Sequence, residues 1–298
     1  MKRAISILIP TYNYNVYPLV AELHQQALVN DLLVEILVFD DGSPQAPEEN
    51  EAINGLSMAR YQKLEKNLGR SGIRNLLAKT AQHEFLLFLD ADTAIIREDF
   101  LVSYLEAVKA ESQIIYGGIT YQQEPPLANE RLRWVYGNKR EALPVAERRK
   151  QPHLRFLTLN FLIRKNVFEK LRFNEDIPNL RHEDTLFAMD AEKNGIDVAH
   201  IDNPVMHLGL ESSEVFLRKS REACDALLLL VRDKLIAPEQ TALSRVAQKY
   251  SQSVLGKLAV WIYDRFGSAM ERHLLSASPS LRVFDLYRLG YYLKKANI

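Results

Sequence analysis

Apolar runs and helical-period segments alternate through the first 120 residues, and this alternation constrains the fold more than any other feature of the chain. Residues 4–9 form an Ile-rich run ended by Pro10, and residues 34–39, 61–64, 84–89 and 114–117 read as further strands. Between them lie three segments of helical spacing: Val16, Leu19, Val20, Leu23, Ala27 and Leu28; then Ile73, Leu76, Leu77 and Ala81; then Phe100, Leu101, Tyr104, Leu105 and Val108. Runs that are apolar throughout suit strands covered on both faces. The pattern predicts an α/β fold, a mostly parallel sheet with helices on both faces. In such sheets ligands bind in the crevice beyond the carboxyl ends of the strands. Residues 10–13, 40–43 and 90–93 are polar clusters that each follow a strand directly, so all three are expected to meet in that crevice.

After residue 120 the pattern loosens. A basic stretch holds Arg131, Arg133, Lys139, Arg140, Arg148, Arg149, Lys150 and Arg155, with Trp134 and Tyr136 among them. Residues 157–163 and 197–201 read as strands, and 184–194 as a helix ending at Gly195. From Glu211 the chain reads as helical, with one apolar stripe through Phe216, Ala223, Leu227, Leu230 and Val231. A second stripe runs through Leu243, Val246, Ala247, Tyr250, Val254, Trp261, Ile262 and Phe266. Residues 281–295 mix Phe284, Tyr287, Tyr291 and Tyr292 with Arg282, Arg288, Lys294 and Lys295. A core-packed helix with a basic outer face is expected there, and contact with an anionic membrane surface is the alternative. The expected division is a domain over 1–210, with halves 1–120 and 121–210, followed by a helical region over 211–298.

The formal net charge is +0, so nothing global points to nucleic acid. The single cysteine, Cys224, has no partner for an internal disulfide, which fits a reducing cytoplasm. The N-terminus lacks the features of a signal peptide, and no apolar run reaches the length of a membrane span.

Several clusters carry chemistry. Asp90-Ala91-Asp92 ends an otherwise apolar strand. Two carboxylates one residue apart repel unless a cation sits beside them, and oxygen ligands suit Mg²⁺ or Mn²⁺. A solvated strand-end turn is the plainer reading. Asp40-Asp41-Gly42-Ser43 is a second acidic turn, and Tyr12 has a ring that could stack on a planar base. In Asn67-Leu68-Gly69-Arg70-Ser71-Gly72-Ile73-Arg74-Asn75, Arg70 and Arg74 are i, i+4 neighbours with the fork geometry that suits diphosphate oxygens. Taken alone, that segment is equally a helix start with solvated arginines.

Ile9-Pro10-Thr11-Tyr12-Asn13, Asp40-Asp41-Gly42-Ser43, Gly69 to Asn75, Leu89-Asp90-Ala91-Asp92 and the later Arg181-His182-Glu183-Asp184-Thr185-Leu186-Phe187 occur in an order and spacing that resemble the family 2 glycosyltransferases, which have the GT-A fold. The resemblance covers residues 4–210. It implies an inverting glycosyltransferase that moves a sugar from a nucleotide diphosphate donor, a UDP-sugar by preference, to a saccharide, polyol or lipid-linked acceptor. It implies a donor site of Pro10, Thr11, Tyr12, Asn13, Asp41, Arg70, Arg74, Asp90 and Ala91. Tyr12 would stack on the base, Asp41 would accept from a ring nitrogen and Arg74 would lie near the base or diphosphate. Asp90 and Asp92 would serve a divalent cation, Mn²⁺ or Mg²⁺, with His207 as a further ligand. Asp184 would be the general base, beside Glu183. Trp134, Tyr136 and Asn160 would face the acceptor. The setting implied is cell-surface polysaccharide or glycolipid synthesis, in the cytoplasm or at the inner face of a membrane, with self-association an open matter.

Two rivals are weaker. A sugar nucleotidyltransferase would carry a glycine-rich loop after the first strand, where this chain has Pro10-Thr11-Tyr12-Asn13. A non-catalytic nucleotide-sugar sensor is not supported by a chain that keeps both acidic turns and Glu183-Asp184. The lack of G-x-G-x-x-G at the same place counts against an NAD dehydrogenase.

Overall fold

The computed structural model describes residues 3–176 and 182–296. The strands are β1 (Ala4–Thr11), β2 (Leu33–Asp40), β3 (Ala59–Lys63), β4 (Phe85–Leu89), β5 (Thr93–Ile95), β6 (Ile114–Tyr116), β7 (Ile119–Thr120), β8 (Asn160–Arg164), β9 (Val198–His200) and β10 (Val205–His207). The helices are α1 (Tyr17–Val29), α2 (Gly69–Thr80), α3 (Phe100–Ala107), α4 (Arg131–Tyr136), α5 (Val145–Arg148), α6 (Lys165–Leu171), α7 (Glu183–Lys193), α8 (Ser213–Arg232), α9 (Ala242–Tyr250), α10 (Val254–Leu274) and α11 (Leu281–Lys295).

The chain divides into two compact units. Residues 1–120, 142–179 and 183–209 form the first, and residues 121–141, 180–182 and 210–298 the second. The segment 121–141, expected within an acceptor half, thus clusters with the C-terminal helices.

In the first unit a seven-stranded sheet runs in the order β3-β2-β1-β4-β8-β6-β9. The sheet is mostly parallel, as the alternation predicted; β8 alone runs against its neighbours, antiparallel to both β4 and β6. Alternate residues of the central strands face opposite layers. Ile5, Ile7 and Ile9 of β1 pack with Val16, Leu19, Val20 and Leu23 beside α3, while Leu8 packs with Ile73 and Leu77 of α2 and with α6 and α7. This two-sided burial is why β1 and β4 read as unbroken apolar runs. Each fully buried Ile, Leu or Phe stabilises the fold by about 1.5–3 kcal/mol.

An aromatic cluster in the second layer sets the position of α7. Phe88 stacks on Phe161 with ring centroids 4.9 Å apart, and Phe187 stacks on Phe173 at 4.5 Å. Phe187 lies one turn beyond Glu183, so its anchoring fixes where the start of α7 presents its carboxylates.

A small second sheet, β5-β10-β7, was not legible as strands. β10 pairs antiparallel with β5, which places His207 opposite Thr93, the residue after Asp92.

In the second unit, Leu132, Leu217, Met270, Leu274, Phe284 and Tyr287 form the core, with Tyr136 and Phe216 packed against it. The expectation for α11 holds: Phe284, Tyr287, Tyr292 and Leu293 are buried. The stripe expected through residues 243–266 does not. Val246, Val254, Trp261 and Phe266 are exposed. The helix breaks at Ser253, whose hydroxyl caps α10 by accepting from the Gly256 amide, so one period cannot run through both helices. α10 instead buries Gly256, Ala259, Met270 and Leu274. Small residues allow α11 to approach closely, and a Cβ on Gly290 would lie 2.9 Å from the Ala259 carbonyl oxygen.

Candidate active site

The site lies in the first unit, at the carboxyl ends of β1, β2 and β4 and the starts of α2 and α7. Backbone bonds tie the strand ends together: the Asp41 amide donates to the Thr11 carbonyl at 2.9 Å, and the Leu64 amide to the Asp40 carbonyl at 2.9 Å. Pro10 and Thr11 close β1, and the Thr11 hydroxyl donates to the Tyr14 carbonyl. Tyr12 then emerges with half its surface exposed (50%), its ring available to a ligand. Asn13 takes a left-handed φ of 49° and donates its amide to Ser43 Oγ at 2.7 Å, joining the first and second loops. Gly42 makes the second loop possible: its φ is 72°, and a Cβ there would lie 2.9 Å from the Lys66 carbonyl carbon.

Asp41 is buried, and its two carboxylate oxygens accept from the Leu68 amide at 2.6 Å and the Gly69 amide at 3.0 Å. It therefore holds the start of α2, a role the sequence did not disclose. Burial pushes its carboxyl up, and the bonds from Leu68 and Gly69 pull the other way.

Arg70 and Arg74 were expected side by side on a diphosphate. They pair with different carboxylates. Arg74 is buried, pairs with Asp90 at 2.6 Å and lies over the Phe173 ring at 5.5 Å. Its Nε meets no hydrogen-bond partner among the described residues. Arg70 pairs with Glu183 at 3.0 Å and feels the charges of Asp90 and Asp184 as well. It is the cation around which the acidic groups gather.

The two carboxylates that start α7 are driven apart. Burial alone would raise Glu183, but Arg70, with Arg74 behind it, holds that carboxyl below its usual range. Asp184 is pushed up to about 6, first by burial and then by the charge of Glu183, although it accepts from the Thr185 amide at 2.7 Å. One carboxylate is thus kept ionised and the other is poised near neutrality. Arg181, the first residue of that motif, lies outside the described residues.

The third strand end supplies Asp90, Ala91 and Asp92. The Asp90 carbonyl accepts from the Thr93 hydroxyl at 2.7 Å, and the Asp92 carbonyl accepts from the Leu208 amide at 2.8 Å. His207 Nε2 stands 3.5 Å from Asp92 Oδ2. A Cβ on Gly209 would collide with that same carboxylate oxygen, so only glycine permits this approach. Among the described residues no cluster of three His, Cys, Asp or Glu is in place to hold a metal. Asp92 and His207 are the side chains here that could share a Mg²⁺ or Mn²⁺ ion, since such ions keep several waters and take phosphate oxygens. Tyr14 was missed in the sequence. Its phenol is pushed up by burial and then by the charge of Asp92.

The residues expected to face an acceptor fare differently. Asn160 is fully buried, donates to the Gly118 and Asn203 carbonyls at 2.8 and 3.0 Å, and accepts from the Tyr104 hydroxyl at 2.7 Å. With its amide spent inside the protein, it braces the end of the sheet, which corrects the acceptor assignment. Asn160→Ala should cost on the order of 3 kcal/mol, because buried polar partners lose their bonds; denaturant unfolding reads this directly. Tyr136 is partly buried and packs against the core of the second unit, on Phe216 and Phe284 at 5.3 and 5.7 Å. Trp134, in the same unit, is partly exposed and donates its indole N–H to the Gln122 carbonyl at 2.8 Å.

The sequence pattern described as "Glycosyl transferase family 2" matches residues 6–172, more than half of the chain and all three strand-end clusters. The chain belongs to glycosyl transferase family 2. It is a glycosyltransferase. No curated protein sequence matches it. Solved structures share its fold: residues 1–349 of S. aureus TarS match over 100% of this chain and 92% of that one, at 19% identity and a TM-score of 0.53. TarS 1–349 has also been solved in complex with UDP-GlcNAc, a structure that matches at 18% identity and a TM-score of 0.51 over 99% of this chain and 92% of that one. The mannosyltransferase PcManGT from Pyrobaculum calidifontis, in complex with GDP-Man and Mn2+, matches over 100% of this chain and 86% of that one, at 16% identity and a TM-score of 0.58. At these identities the likeness establishes the GT-A fold, followed here by the C-terminal helices.

Proposed function

We propose that this glycosyltransferase inverts the anomeric carbon as it moves a sugar from a UDP-sugar to a saccharide, polyol or lipid-linked hydroxyl, in the making of a cell-surface polysaccharide or glycolipid. The observation that carries the reading is the divided carboxylate pair, with Glu183 held ionised by Arg70 and Asp184 pushed up to about 6. A base poised near working pH is what deprotonation of an attacking hydroxyl requires. Attack on the face opposite the leaving diphosphate, helped by a single base, inverts the centre.

Each remaining group has a share. Tyr12, half exposed at the end of β1, offers its ring to the base. Asp41 orders the loop beneath the nucleotide and keeps a second lone pair on each oxygen for the base edge. Arg70, half exposed beside Glu183, would offset the negative charge that grows on the departing diphosphate, with the buried Arg74 adding its charge from behind. A divalent cation held by Asp92 and His207, with Asp90 nearby, would offset the same charge. Trp134 is the candidate to stack on an acceptor sugar.

The test is hydrolysis of a panel of nucleotide diphosphate sugars with Mn²⁺ present, which needs no acceptor. A UDP-sugar should be consumed fastest. Preference for a GDP-sugar would overturn the base assignment, and no turnover of any donor would overturn the donor class. Tyr12→Ala should weaken UDP binding by about tenfold, since one aromatic stack is worth about 1–3 kcal/mol. Calorimetry reads this, and unchanged UDP affinity removes Tyr12 from the base pocket.

A further inference from the structure

We propose that the outward face of α10 docks the protein on an anionic lipid surface. Along this helix Val254 is 81% exposed, Leu255 59%, Leu258 45%, Trp261 57% and Phe266 46%. Val254, Leu258 and Trp261 fall at i, i+4 and i+7, so they form one stripe, opposite the small-residue face that α11 covers. The Trp261 and Phe266 rings meet edge to face at 5.8 Å, which makes a single apolar projection of them. Scattered exposed apolar residues need no explanation, but a contiguous set on one helix does.

The charges on α10 indicate what covers this face. Its acidic residues are already engaged: Asp264 pairs with Lys294 at 2.6 Å, and Glu271 pairs with Arg221 at 2.9 Å and accepts from the Tyr287 hydroxyl. Its basic residues Lys257, Arg265 and Arg272 are exposed, and no carboxylate pairs with them among the ion pairs of the described residues. Arg265 and Arg272 lie in line with the apolar stripe, at i+11 and i+18 from Val254. Trp and Leu on a face that also carries Lys and Arg is the composition of helices that lie in the membrane interface. A second copy fits less well. A two-fold contact through this face would set the same uncompensated cations against themselves. No helix of the described residues is long and apolar enough to cross a membrane, so the contact is one of lying on the surface.

The test is flotation of the full chain with vesicles of phosphatidylcholine, with and without phosphatidylglycerol. Binding to the anionic vesicles should exceed binding to phosphatidylcholine alone by about tenfold or more and should weaken with salt. The double variant Leu258→Asp with Trp261→Asp, at two exposed positions, should lose about tenfold or more of that binding while its thermal unfolding stays unchanged. Lys257→Glu with Arg265→Glu should remove the preference for anionic lipid. Unaltered flotation of these variants overturns the proposal, and so does failure of the parent to float. A dimer seen by sedimentation velocity and dissolved by Leu258→Asp with Trp261→Asp, without vesicle binding, would assign the face to a second copy instead.

Discussion

Asp184→Asn is expected to lose sugar transfer by about a hundred- to ten-thousand-fold, the contribution of a positioned general base, while nucleotide binding stays near the parental value. The same variant should be more stable than the parent at neutral pH. The Asp184 carboxyl is pushed up to about 6 from an ordinary 3.8, so the folded chain binds its proton more tightly than the unfolded chain does. Between those two values stability falls as pH rises, and above about 6 the whole cost of the buried charge is present. Asparagine can keep the bond from the Thr185 amide and removes the charge. The gain should be on the order of 1–3 kcal/mol at pH 7–8 and should vanish below about pH 4. A gain in stability joined to a loss of transfer marks a base; a carboxylate that only served structure would lose stability. In the parent, kcat/KM should fall about tenfold per pH unit below about pH 6, and Asp184→Asn should lack that limb.

Glu183→Gln is the partner experiment. It leaves Arg70 without its ion pair and removes the charge that raises Asp184. The acidic limb of the rate profile should therefore move to lower pH while transfer persists. If Glu183→Gln is inactive and Asp184→Asn transfers sugar at the parental rate, the two roles are reversed. If both retain transfer, the base lies elsewhere.

What could be read from the sequence follows from how each element is stabilised. β1, β2 and β4 were legible because two-sided burial leaves an unbroken apolar run, and α1 and α2 because each buries one face. The direction of β8 was not legible, since Asn-Phe-Leu-Ile-Arg carries the same apolar signal whichever way it runs. β5, β7 and β10 have three, two and three residues, too few for any period, and are made by returning chain segments that happen to pair. The three strand-end clusters were visible as polar breaks, yet their pairings were not. Arg70 and Arg74 looked like one fork and serve two carboxylates. Asn160 looked available to an acceptor; a lone amide at the head of an apolar strand is more telling as a buried brace. On α10 the larger residues suggested the inner face, but Gly256 and Ala259 decide it, because close helix contact selects for small side chains there.

Asp92→Ala should abolish the dependence of donor binding on divalent cation. Asp92 and His207 come from distant parts of the sequence and meet only because β10 pairs with β5. Gly209 leaves room for the Asp92 carboxylate. Asp90, two residues away, is already paired with Arg74, so the Mn²⁺-dependent part of UDP affinity should drop about a hundredfold or more. Calorimetry with UDP, with and without Mn²⁺, separates that part from the contribution of Tyr12. His207→Ala should give a smaller loss, because water can replace a neutral imidazole more readily than a carboxylate at a hard cation. Gly209→Ala supplies a test that leaves both ligands present. Its Cβ would clash with Asp92 Oδ2 and turn the carboxylate away, so metal-dependent affinity should fall although neither Asp92 nor His207 is changed. If Asp92→Ala binds UDP with the parental response to Mn²⁺, this pair does not hold the metal. If Asp92→Ala fails and Gly209→Ala does not, the carboxylate matters but its present orientation does not.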